Sequence, residues 1–469
     1  MKATRRRSDD FASSALLELC TVRVVTATFL GLTIRSSALL LACNVVLAAG
    51  CRDRAAPRAA PSAERAGASS APRWPAPSPS SATAQAFYAD RYSKKPSMPD
   101  VLELGRTLFF DPALSASGQL ACASCHDPNF AYGPPNGLSS QMGGGELRSG
   151  GLRAAPSLRY LQTVPPFSEH YFDEAGDESA DQGPTGGHTW DGRADTLHEQ
   201  ALLPLTSTLE MANDSIASVV AKVEQAAYAA RFRAIFGDDV FAEPVRAQSA
   251  VLLSLEVFQH SPKDFYPYSS RYDLYLRQKL QLNAQELRGL ALFNDQNKAN
   301  CVHCHVSQIR KAAFPQFTDF GFAALGAPRN AKLSQNQDRS FFDLGLCGPL
   351  RKDLSSHREY CGAFRAPTLR NVALRRAFFH NGVFHSLEQT LQFYAERDTN
   401  PGKWYPKANG KPGTYDDLPP ELHGNVNREP PFGRKPGQAP TLSSVEIRDL
   451  IAFLKTLTDA DLDPHAGQP

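Results

Sequence analysis

Apolar residues along the chain recur mostly at spacings of three and four, the signature of helices that bury one face. The pattern predicts helices over 213–236, 244–259, 386–396 and 443–457. Two further stretches resemble each other, VLELGRTLFFDPALSASGQLACASCH (101–126) and AQELRGLALFNDQNKANCVHCH (284–305). Both set Leu and Phe at helical spacing, then an acidic break, a short polar turn and the same closing pattern, which makes a weak internal repeat. Residues 127–190 and 398–440 are rich in Gly, Pro and Asn and read as long ordered loops. No alternating run persists long enough to predict a sheet. The expected class is all-α with long loops.

One apolar run has another character. ALLLACNVVLAAG at 38–50 ends in small residues just before Cys51, behind the basic lead-in MKATRRRSDD. That is the form of an export signal rather than a membrane span, and no later stretch approaches the length of a transmembrane helix. LAAGC (47–51) resembles a bacterial lipobox, which would make Cys51 a lipidated first residue; an ordinary cleavage site with an incidental Cys is the alternative. Residues 52–86, mostly Ala, Pro, Ser and Arg, cannot bury a core and read as a disordered linker. The expected localisation is the periplasm, with a tether to a membrane through Cys51. A net charge of +2 over 469 residues gives no bulk case for nucleic acid or an anionic membrane. The remaining length suits two domains, 87–262 and 263–469.

The closing pattern of the repeat is CASCH at 122–126 and CVHCH at 301–305. Two cysteines flanking two residues and followed by His form the attachment site of a c-type haem. Cys122 and Cys125, and again Cys301 and Cys304, would form thioethers, with His126 and His305 as proximal iron ligands. Zinc would need both Cys pairs close in sequence, and a thioredoxin-like site would need a strand before the motif and a helix after it. Neither context is present. The repeat therefore implies two cytochrome c-like domains, each with one covalently bound haem c. An exported setting also permits a disulfide. Of nine cysteines, Cys20 and Cys43 precede Cys51 and four hold haem, which leaves Cys347 and Cys361 either to pair or to stay as buried thiols.

FFDPALSASGQLACASCHDP, TWDGRADTLHEQALLPL, LEM, FRAPTLRNVALRRAFFHNG and SLEQTLQFY follow one another over roughly 87–460. In that order and spacing the chain resembles the bacterial dihaem cytochrome c peroxidases and their MauG-type relatives. The resemblance implies that the haem of His126 is the peroxide site. In many members a His in the following loop closes that haem; the loop here, 127–151, has none, which implies an open face. His170 and His188, in an inserted segment, are the histidines that would fold back on it instead. The family's distal pair falls on Gln200 and Glu210, and a carboxyl in an apolar haem pocket has the raised pKa that suits proton shuttling. Read alone, Glu210 would cap helix 213–236 and Gln200 would sit on an outer helix face. Trp190 matches the tryptophan that carries electrons between the haems, or is a core Trp; Asp191 and Arg193 read as structural, with Arg193 near a haem propionate.

Methionine is excluded as sixth ligand of the second haem, because the four Met are at 1, 98, 142 and 211, none beyond the second motif. The matching family position is Tyr394, as in MauG-type enzymes; a buried core Tyr with His385 or His423 as ligand is the alternative. A phenolate lowers the iron potential where Met raises it. His380 matches a family His near the second haem. The family's calcium position falls on Ala154 and 374–382, where Arg375 and Arg376 oppose a dication and make calcium doubtful. The implied reaction is reduction of hydrogen peroxide to water at the His126 haem, assisted by Glu210 and Gln200. Oxidising equivalents would be shared with the Tyr394 haem through Trp190, and electrons returned by a small donor protein such as a cytochrome c or a cupredoxin. Two alternatives stand beside it: a MauG-like enzyme oxidising side chains of a partner protein, and a non-catalytic dihaem electron-transfer cytochrome.

Overall fold

The computed structural model describes residues 92–172, 181–310, 313–408 and 410–463. The export and lipidation expectations at 1–51, and the linker at 52–86, lie outside these residues. The described residues form one compact unit. Its long helices are α1 (Met98–Phe109), α2 (Leu197–Thr206), α3 (Ile216–Gln225), α4 (Ala229–Phe236), α5 (Pro244–Gln259), α6 (Ala284–Asn294), α7 (Leu387–Glu396) and α8 (Ser444–Lys455). Among the described residues the strands amount to three two-residue antiparallel pairs. The fold is mostly helical with long loops.

Three expected helices, at 244–259, 386–396 and 443–457, correspond to α5, α7 and α8. Ser386 and Ser443 are N-caps, accepting from the amides of Gln389 and Glu446. The helix expected over 213–236 is two helices. α3 starts after the cap Ser215, and the chain turns extended at Ala226 before α4 begins. Val219 and Val223 on one side of the break, and Phe232 and Phe236 on the other, are all buried in the same core. The apolar period therefore runs through the break, and the Ala-rich sequence there holds no Gly or Pro to mark it.

The two similar stretches of sequence fold into the same local geometry. α1 crosses α5 and α6 crosses α8, each at a glycine. A Cβ on Gly105 would lie 1.8 Å from the carbonyl oxygen of Ser254, and one on Gly289 would lie 2.1 Å from that of Asp449. Only a hydrogen lets the backbones approach this far. Gly289→Ala is therefore expected to destabilise the protein by about 1–3 kcal/mol, the usual cost of overpacking. A thermal melt of the dihaem protein checks this, and an unchanged midpoint would show that the helices separate freely.

Beside each crossing lies a cluster of aromatic rings. Phe109 packs 5.3 Å from Phe258 and 5.7 Å from Tyr132. Phe293 packs 5.2 Å from Phe453 and 6.0 Å from Phe317. These rings belong to two separate apolar cores, one built from residues up to Phe265 and the other from Tyr272 onward. Cys347 and Cys361 are joined by a disulfide. It closes a short loop, for which chain entropy suggests about 3 kcal/mol of stabilisation.

Candidate active site

Each CxxCH motif closes a single turn. The amide of His126 donates to Cys122 O and that of His305 to Cys301 O, both at 2.9 Å. Cysteines three apart on such a turn share one face. Burial pushes the Cys125 thiol up to about 11 and those of Cys122, Cys301 and Cys304 up to about 12. They stay uncharged in an apolar setting, which suits thioether formation with a porphyrin.

The imidazoles are oriented alike. Nδ1 of His126 lies 3.0 Å from Tyr132 O, and Nδ1 of His305 lies 2.8 Å from Phe317 O. A carbonyl only accepts, so Nδ1 carries the proton and Nε2 keeps its lone pair for a metal. Burial lowers both rings to about 4, so both are neutral, as an iron ligand must be. Sequence reasoning missed the device that supplies these carbonyls. Tyr132 and Phe317 have φ of 53° and 54°, a left-handed conformation that costs a bulky residue roughly 1–3 kcal/mol. Their rings are locked into the two aromatic clusters while their carbonyls turn back to the histidines. One lies six residues after its His and the other twelve, so no fixed spacing betrays the pair.

A second repeat was also missed. AAPSLRY (154–160) and RAPTLRN (365–371) lay the backbones of Pro156 and Pro367 against the rings of His126 and His305. The arginine three residues after each proline is buried against an aspartate, Arg159 on Asp459 at 2.9 Å and Arg370 on Asp273 at 2.9 Å. Tyr160 and Asn371, the next residues, both donate to Asp459.

A largely apolar cavity of about 210 Å³ opens beside His305, with Cys301, Cys304, Leu391, Tyr394 and Phe432 among its walls. Tyr394 stands on α7. Its ring stacks on Phe379 at 5.9 Å and on Phe432 at 5.4 Å. Among the described residues no group hydrogen-bonds to its hydroxyl. Burial raises the phenol well above its ordinary value, the sulfurs of Cys304 and Cys301 raise it further, and Arg397 opposes them. The alternative ligands lie elsewhere. His385 is exposed with Nδ1 on Arg376 O at 3.0 Å, and His423 Nε2 is on Leu418 O at 3.2 Å. His380 does line the cavity, stacked on Phe364 and 3.5 Å from Asp417.

On the side of the first motif, α2 starts at a capping box made by Thr196 and Glu199 and carries Gln200, half-buried. The side-chain amide of Gln200 has no hydrogen-bond partner among the described residues. Glu210 follows α2 in a turn, and Ser215 rather than Glu210 caps α3. The glycines of the loop at 142–145 dock against that turn: Gly144 N–H donates to Glu210 O at 2.8 Å. A Cβ on Gly143 would lie 2.7 Å from Glu210 Cα. The Glu210 side chain keeps water access, yet most of its surroundings are protein. That density raises the carboxyl above its ordinary value, against the smaller pull of Ser207 and Arg193. After burial, the charge of Glu210 is what raises the Cys125 thiol.

Trp190 Nε1 donates to Ala154 O at 2.8 Å. The indole lines the large cavity and also a smaller one walled by Ala131, Pro156, Pro367 and Thr368. It therefore lies between the two stretches that support the histidines. Asp191 beside it is fully buried and ion-pairs with Arg153 and Arg193, both at 2.7 Å. His170 is exposed and paired with Asp181 at 2.6 Å. His188 is buried and lowered to about 3, chiefly by burial and next by the charge of Arg365. Its amide bonds to Ala194 O and closes the hairpin that holds Trp190. The residues present do not fit calcium. Ala154 O is taken by Trp190, Ala155 O accepts from Arg375 at 3.2 Å, and no described group of acidic, His or Cys side chains is arranged to hold a metal ion.

Twice in one chain, then, a neutral imidazole is turned by a carbonyl so that Nε2 is free beside two uncharged thiols, the arrangement a covalent haem asks for. The protein class is a dihaem c-type redox protein. A family model described as di-haem cytochrome c peroxidase matches residues 99–281. The methylamine utilization protein MauG of Paracoccus denitrificans is 32% identical over 380 residues, which span 77% of this chain and 89% of that protein. The cytochrome c551 peroxidase of Nitrosomonas europaea is 28% identical over 300 residues, 63% of this chain and 73% of that protein. The crystal structure of the diheme peroxidase BthA from Burkholderia thailandensis matches with a TM-score of 0.69 at 38% identity, over 78% of this chain and 87% of that one. The chain belongs to the family of dihaem cytochrome c peroxidases and MauG proteins. It is an oxidoreductase with two c-type haems.

Proposed function

We propose that the protein reduces hydrogen peroxide to water, with peroxide taken up at the haem of His126 and Tyr394 serving as ligand at the haem of His305. The observation that most supports this reading is the placing of two side chains. Tyr394 lines the apolar cavity together with Cys301, Cys304 and His305 of the second motif, and Glu210 sits in the turn docked on Gly143 and Gly144, where its charge acts on Cys125 of the first. The bound haems supply the iron that takes up and shares the oxidising equivalents of peroxide.

The chain's residues handle protons and position. Reducing one peroxide to two waters consumes two protons and two electrons. Glu210, exposed to solvent yet with its carboxyl raised by the protein packed around it, takes a proton from one peroxide oxygen and returns it to the departing one. The unpartnered side-chain amide of Gln200 donates to a peroxide oxygen and does not titrate. Trp190, fixed by its bond to Ala154 O, passes electrons between the two sites. Asp191, Arg153 and Arg193 hold the turn that carries it. Each half, 87–262 and 263–469, serves as a cytochrome c-like domain, and electrons come from a small donor protein. The N-terminal sequence supports the periplasm as compartment and Cys51 as a lipid anchor.

Mixing the dihaem protein with one equivalent of peroxide tests this reading. The absorption bands of both haems are expected to respond, and a response confined to one would leave Tyr394 and Trp190 outside the reaction. A second reading has one feature in its favour. Tyr394 in place of Met suits withdrawal of electrons from a partner protein's side chain, because a phenolate stabilises oxidised iron. Oxidation of one specific protein with little sustained peroxide loss would support that reading instead.

A further inference from the structure

Arg365 and Arg375 both line the large cavity beside His305, and both line the smaller one between Pro156 and Pro367. Trp190 lines the same two cavities. Arg365 is 7% exposed, and its Nε donates to Thr189 O at 3.1 Å. Arg375 donates from Nε to Ala377 O at 3.3 Å and from Nη2 to Ala155 O at 3.2 Å. Their partners are backbone carbonyls. Neither forms an ion pair with a carboxylate among the described residues.

The arginines held in the interior elsewhere behave differently. Arg153, Arg159, Arg351, Arg370 and Arg397 each hold an aspartate at 2.7 to 2.9 Å. A guanidinium that faces a cavity with no carboxylate beside it is unfavourable, so two neighbouring exceptions call for an anion. Its kind follows from the fork of a guanidinium, which matches a carboxylate with two parallel hydrogen bonds. The pair also stands within reach of both haem sites. The charge of Arg375 is felt at His126, while its side chain lines the cavity of His305.

We infer that Arg365 and Arg375 form a carboxylate-binding pair between the two haem sites, and that the carboxylates it holds are haem propionates. This rests on the two-haem reading. The fixed cation between the sites is then part of the chain, at a place where Ala154 O and Ala155 O already accept from Trp190 and Arg375. Two positive charges near both irons favour the reduced state, so the pair raises the reduction potentials.

The test is a spectroelectrochemical titration of both haems in wild type, Arg365→Gln, Arg375→Gln and the two Lys variants. Haem content is measured alongside as the pyridine haemochrome. The Gln variants are expected to hold two haems per chain with at least one midpoint shifted negative, and the Lys variants to stay nearer wild type. Wild-type midpoints are expected not to move with added chloride, phosphate or EDTA. A Gln variant that loses haem while its Lys counterpart keeps two would also support the pair. Unchanged midpoints in both Gln variants would overturn it. Wild-type midpoints that follow chloride or phosphate would point to a free anion in place of propionate, and a shift on EDTA treatment to a bound metal; either would overturn it. Fewer than two haems per wild-type chain would overturn the dihaem reading beneath it.

Discussion

Glu210→Gln is expected to slow steady-state peroxide consumption by about 10²–10⁴-fold, the usual contribution of a positioned acid–base group. Gln keeps the volume of Glu and can still accept from Ser207, so the turn docked on Gly143 and Gly144 should persist. What it loses is a proton that can be released and taken back. Haem content and the resting absorption spectrum are expected to match wild type, which separates a lost proton shuttle from a lost fold. An unchanged rate would remove Glu210 from the reaction and leave its raised carboxyl as a consequence of packing.

The second large effect is on stability. Asp273 and Arg370 are fully buried and joined by two hydrogen bonds of 3.0 and 2.9 Å. Arg370 also donates to Pro315 O and lies over the rings of Tyr160 and Tyr268. Removing one partner of such a pair strands the other charge, and Asp273→Ala is expected to cost about 3–5 kcal/mol. Burial pushes the Asp273 carboxyl up, but Arg370 and Ser270 outweigh it and hold it below its ordinary value of 3.8. A carboxyl depressed in the folded state stabilises above its unfolded value and loses that contribution as pH falls through the folded one. Wild type should therefore lose this stability below about pH 4, while the variant lacks it throughout. Melting midpoints across pH should show the gap between them closing in acid; a constant gap would assign the effect to packing alone.

Much of the chemistry was legible because it is local. CxxCH compresses two thiols and an imidazole into one turn, so five letters fix the geometry of His126 and His305. The absence of Met after residue 211 is likewise a fact of sequence, and Tyr394 does share a cavity with His305. The capped helices α5, α7 and α8 were readable for the same reason. What escaped depends on contacts between distant segments. The break at Ala226 leaves the apolar period intact. Tyr132 and Phe317 work through their carbonyls, which any residue type possesses, and only their backbone angles reveal them. Arg365 and Arg375 stand out only against the aspartates that their buried counterparts have and they lack. The cap that Glu210 would offer helix 213–236 when read alone falls to Ser215, which only the turn before α3 reveals.

The measurement that bears most directly on the central claim is the steady-state loss of hydrogen peroxide by the dihaem protein supplied with a reduced small-molecule electron donor. A peroxidase should turn over continuously until the donor is spent, at a rate of roughly 1–10³ per second, the range common to enzymes. Consumption that stops after a single equivalent per protein, with the donor still in excess, would contradict it.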